Sequence, residues 1–115
     1  MRRDAEVIIQ AALAACLPDA AVRRALEGKR FSGGKLVLIA IGKAAWQMAA
    51  TAAEVLGERL TTGLVITKYG HGNGAIPRCE VLEAGHPVPD ENSLRGAQAA
   101  VQLVSGLTAD DTVLF

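Results

Sequence analysis

The chain has 115 residues, half of them apolar and 21% charged, and its twelve basic and twelve acidic side chains cancel. That length suits one domain around one core, and the lack of any basic block argues against nucleic acid as a partner. Cys16 and Cys79 show no metal-ligand spacing and read as buried, reduced thiols of a cytoplasmic protein.

The opening Met1-Arg2-Arg3 could begin a signal peptide, but Asp4, Glu6 and Gln10 interrupt the apolar run one needs. The segment reads instead as a helix capped by Asp4, with Val7, Ile8, Ala11, Ala12, Ala15 and Cys16 as its buried stripe. No apolar stretch is expected to span a bilayer, so no membrane partner is expected either. After Pro18, a second helix runs from about Asp19 to Glu27 and stops at Gly28.

Lys35 to Ile41 is a continuous apolar run, the pattern of a central strand covered on both faces. Ala44 to Leu56 then reads as an alanine-rich helix ending at Gly57, with Trp46 in its core. Gly63–Lys68 and Cys79–Ala84 are the next strands. Asp90 caps a helix from about Glu91 to Val104, with Leu94, Ala97, Val101 and Val104 expected to face inward. Thr112–Phe115 begins a fourth strand.

Alternating strands and helices predict an α/β fold: a three-layer, Rossmann-like domain with a mainly parallel sheet, truncated at its C-terminus. One connection resists that reading. Only about ten residues, Tyr69 to Arg78, join the second and third strands, whereas parallel crossovers usually need a dozen or more. The third strand could therefore be parallel with a tight link, or antiparallel, or apart.

Ligands of open α/β sheets lie beyond the carboxyl ends of the strands. Three loops occupy that rim: Gly42-Lys43, Lys68 to Gly74, and Gly85 to Asn92. They hold both histidines and the only tyrosine. Lys43 stands at a helix start, where the macrodipole disfavours a cation. A bound anion would reverse that penalty, meeting the ammonium and the backbone N–H groups together, with Gly42 allowing close approach. The alternative is a solvated surface lysine. His71, between two glycines, is either a rim ligand or part of a flexible exposed turn. His86, stiffened by Pro87 and Pro89, either faces the rim or bonds the nearby backbone. Asp90 reads as a cap rather than a catalytic acid. No Walker A loop is present, since Val37 and Ala44 stand where it needs Gly and Ser or Thr. No G-x-G-x-x-G follows a strand, and no metal-ligand set is apparent.

Together, Ile41-Gly42-Lys43-Ala44-Ala45-Trp46-Gln47-Met48-Ala49, Thr67-Lys68-Tyr69-Gly70-His71 and Glu83-Ala84-Gly85-His86-Pro87-Val88-Pro89-Asp90 resemble the type-2 glycerate kinase family in order and spacing. Some of its members carry the label hydroxypyruvate reductase. The resemblance implies phosphorylation of D-glycerate to 2-phosphoglycerate with ATP and Mg2+, in a cleft between two domains. It implies that residues 1–115 are a partial N-terminal domain and that Lys43 is an active-site residue, with Gly42, His71 and His86 as binding candidates. On that reading the chain alone is inactive, and its uncovered strand edge allows self-association. Two other functions stay open: an NAD(P)H-dependent hydroxypyruvate reductase, and a non-enzymatic α/β module binding a small anion.

Overall fold

The structure is a computed structural model describing residues 1–115. Its elements are α1 (Arg2–Cys16), α2 (Asp19–Leu26), β1 (Leu36–Ile41), α3 (Ala45–Leu56), β2 (Thr62–Lys68), β3 (Cys79–Ala84), α4 (Glu91–Val104) and β4 (Thr112–Leu114). The strands form one sheet in the order β3-β2-β1-β4, and every pairing is parallel. The carboxyl ends of β1, β2 and β3 therefore share one rim.

The apolar run of β1 is central, and Leu36, Val37, Leu38 and Ile39 are all buried. One face of the sheet packs under α3. Ala45, Ala49, Ala52, Ala53 and Leu56 recur at helical spacing and meet Leu36, Leu38 and Val65. Four alanines bring the helix close to the sheet, while Leu56 contributes a burial of about 1.5–3 kcal/mol. Outside α3 lies α2. Asp19 Oδ2 accepts from Gln47 Nε2 at 2.8 Å, its Oδ1 accepts from Thr51 Oγ1 at 2.8 Å, and Arg23 pairs with Glu54.

The opposite face carries α4, which completes the three layers. Gly96 sets its distance, because a Cβ there would lie 2.9 Å from Ile66. The helix meets the sheet through Ala99, Ala100 and Leu103, packed against Leu64, Ile66 and Ala84. This corrects the expected inward face: Leu94, Ala97 and Val101 are exposed, and Val104 is only half-buried. The small residues Gly96, Ala99 and Ala100 are what lets the backbone approach.

The third strand is parallel despite its short connection. Ile76, only 4% exposed, joins the core beneath α3 and takes the place of a crossover helix. Cys79 N donates to Ile76 O at 3.1 Å, and Arg78 turns the chain at φ 64°.

Further expectations fail at the edges of the fold. Helix α1 begins after Met1, not Asp4, and buries no residue. Its stripe faces outward, with Ile8 68% exposed. An 18-residue window within Arg2–Leu26 is also apolar enough for a bilayer span by length and composition, with a mean hydropathy of 1.6, contrary to the reading above. The fold interrupts it at Leu17-Pro18, between α1 and α2, and α2 packs beside α3 through Val22 and Leu26. Cys16 is exposed and Cys79 half-buried; both are free thiols, and burial pushes the Cys79 thiol up. Trp46 is half-buried at the margin of the core rather than within it.

Candidate active site at the strand rim

Gly42 ends β1 with a left-handed turn, φ 134°, that disfavours any side chain. Its N–H donates to Ile66 O at 3.0 Å, and its carbonyl accepts from Thr67 Oγ1 at 3.0 Å and from Ala45 N at 3.1 Å. The turn is thus locked to β2. Lys43 follows it, one residue before the N-cap Ala44 and two before the first residue of α3. The cation therefore lies just ahead of the helix start rather than within its first turn. Ala44 supplies no side-chain cap, so backbone N–H groups remain free at the head of the helix.

A cavity of about 190 Å³ opens on the α4 side of this turn. Gly42, Lys43, Lys68, Gly85, His86 and Ser93 are among its lining residues, and no carboxylate is. Strand alternation places Lys68 on the same sheet face as Leu64 and Ile66, toward α4. Neither lysine takes part in an ion pair. The sequence reading singled out Gly42, Lys43 and His86, and the structure brings these three to one cavity. It missed Lys68, which a charged residue closing a buried strand at a ligand-bearing rim could have signalled.

His71 stands apart from that cavity. Its Nδ1 lies 3.3 Å from the carbonyl oxygen of Lys43. The turn that carries it is held on several sides. Glu83 Oε1 accepts from Gly70 N at 3.1 Å and from Gly72 N at 2.9 Å, His71 N donates to Lys68 O at 3.0 Å, and Trp46 Nε1 donates to Gly74 O at 2.9 Å.

The His86 loop is held by Asp90. Its carboxylate accepts from Ser93 N at 3.0 Å and from the Tyr69 hydroxyl at 2.7 Å, while Asp90 N donates to Ser93 Oγ at 3.0 Å. Asn92 Nδ2 completes the cluster by donating to Tyr69 Oη at 2.7 Å. Asp90 is thus a cap, as expected, within a reciprocal capping box. The Tyr69 hydrogen bond, helped by the Gly85 and Ser93 N–H groups, holds its carboxyl down at about 2. The same bond to Asp90 raises the Tyr69 phenol. Gly85 is required by space, since a Cβ would meet Val88 O at 2.5 Å.

No three His, Cys, Asp or Glu side chains converge on a common point. The arrangement can bind a small anion between two ammonium groups, an imidazole and the N–H groups ahead of α3.

Comparison with known proteins gives the family. Residues 4–115 match the family described as a domain of unknown function, DUF4147. The D-glycerate 2-kinase of Thermotoga maritima is 45% identical over 108 residues, which is 94% of this chain and 25% of that protein. An Agrobacterium vitis protein provisionally named hydroxypyruvate reductase is 39% identical over 93% of this chain and 24% of its own length. The crystal structure of the Thermotoga maritima glycerate kinase superposes with a TM-score of 0.87 at 44% identity, covering 96% of this chain and 26% of that one. The chain thus spans about a quarter of the length of the relatives it matches. With a match from Asp4 to Phe115, the chain belongs to the DUF4147 family, among the relatives of glycerate kinase.

Proposed function

We propose that the protein carrying this chain is a glycerate 2-kinase, transferring the terminal phosphoryl group of ATP to the 2-hydroxyl of D-glycerate. The supporting observation is the small cavity, cationic on several sides and free of lining carboxylates. Its volume of about 190 Å³ suits a three-carbon acid or one phosphoryl group but not a whole nucleotide. Lys43, together with Gly42 and the head of α3, binds the substrate's carboxylate or the moving phosphoryl group. Phosphoryl transfer depends chiefly on positioning and charge neutralisation, which such a site supplies. His86 and Lys68 complete the anion shell, and His71 acts from behind the turn.

ATP would supply the phosphoryl group and Mg2+ would offset its charge; the cavity lining, which holds no carboxylate, does not fit the ion. We take residues 1–115 as a partial N-terminal domain of a larger two-domain cytoplasmic enzyme, supported by the quarter-length match to the relatives. The kinase reading is favoured over the reductase by the higher identity to the D-glycerate 2-kinase, 45% against 39%.

The test is glycerate-dependent ADP formation by the longest natural protein carrying this sequence. Activity is expected there, absent from the 115-residue chain alone, and reduced about 100-fold or more in Lys43→Ala. Hydroxypyruvate-dependent NADH consumption without ADP formation would replace the kinase reading with the reductase.

A further inference from the structure

The β2–β3 connection contains no helix, yet it is the part of the rim with the most directed polar contacts. Glu83 is central to them. Alternation along β3 puts it on the face of Cys79 and Val81, beneath the loop. Its Oε1 takes the N–H of Gly70 at 3.1 Å and of Gly72 at 2.9 Å, the two residues that flank His71. Bonds of this kind to a carboxylate are stronger than those to a neutral acceptor. Glu83 makes no ion pair that would compete.

His71 passes the restraint on. A carbonyl oxygen can only accept, so the 3.3 Å contact with Lys43 O requires the proton on Nδ1. The ring thereby touches the backbone of a residue that lines the anion cavity. Gly42 ties the start of this turn to β2, and because Ala44 offers no side-chain cap, the His71 contact is a second anchor on its Lys43 side.

We propose that Glu83 is a positioning residue. It clasps the Gly70–Gly72 backbone, sets His71 with Nδ1–H on the Lys43 carbonyl, and so fixes the turn that presents Lys43 to the substrate. The functional half of this rests on the kinase reading above; the brace itself does not.

The test uses the longest natural protein carrying this sequence, labelled with 15N-histidine. His71 should show the Nδ1–H tautomer. Glu83→Ala should move it toward the Nε2–H form and lower kcat/KM for glycerate about 10- to 100-fold, as a misplaced binding group does. Glu83→Gln keeps an oxygen that can accept both N–H groups, so it should retain the tautomer and stay within about threefold of wild type. If Glu83→Ala does not fold, Gly72→Ala serves instead: its Cβ would lie 3.0 Å from Oε1 and loosen the clasp, with the same tautomer shift expected. An unchanged tautomer and unchanged kcat/KM in Glu83→Ala, alongside an inactive Lys43→Ala, would overturn the role of Glu83 and leave the kinase reading standing. Full activity in Lys43→Ala would sink the kinase reading, while the tautomer measurement would still decide the brace.

Discussion

The rim loops and helix α1 reverse what their compositions suggest. The loops are rich in glycine and poor in apolar residues, yet each is tied down: one to Glu83 and Trp46, the other to Asp90, Tyr69 and Ser93. Helix α1 carries a regular apolar stripe, yet none of its residues is buried. Periodicity shows that a segment can bury a face, not that a partner is there to receive it. Directed hydrogen bonds to carboxylates can order a segment with no apolar face at all.

The largest effect expected from breaking this contrast is at Gly85. Gly85→Ala forces a Cβ to within 2.5 Å of Val88 O, and the crowding should destabilise the chain by about 1–3 kcal/mol in urea denaturation. A smaller effect separates the two regions by pH. The Asp90 carboxyl has its folded value lowered from 3.8 to about 2, so it binds protons less readily folded than unfolded. Its stabilising contribution is therefore present above about pH 4 and is lost as pH falls toward about 2. Asp111 is depressed in the same direction by the N–H groups of Thr108 and Lys35, and so also favours the fold less as pH falls. Melting temperature followed against pH should fall across this range, and Asp90→Asn should flatten the fall; an unaltered profile in that variant would remove Asp90 from the account. The smallest effect is on α1. Ile8→Ser in this chain should change unfolding stability by no more than about 0.5 kcal/mol, as at an ordinary surface position. A large loss there would mean that α1 is covered in solution.

Much of the frame was legible in the sequence because its signals are local. The continuous apolar run of β1, Gly57 after α3 and the Asp90 cap each announce themselves within a few residues. The direction of β3 was not legible, since it depends on Ile76 filling the position of a helix, a long-range packing fact. The inward face of α4 was misread because Gly96, Ala99 and Ala100 are chosen for closeness rather than hydrophobic bulk. At the site, Gly42, Lys43 and His86 could be found from their places after strands. Glu83 could not be distinguished from an ordinary strand-end charge until the loop was seen to fold over it.

The central claim is that Lys43, at the head of α3, meets an anion. It is tested most directly by titrating D-glycerate calorimetrically into wild type and Lys43→Ala of the longest natural protein carrying this sequence. The account predicts affinity weakened at least about tenfold in the variant, as expected for losing a charge-assisted contact. Equal affinity in the two proteins would contradict it.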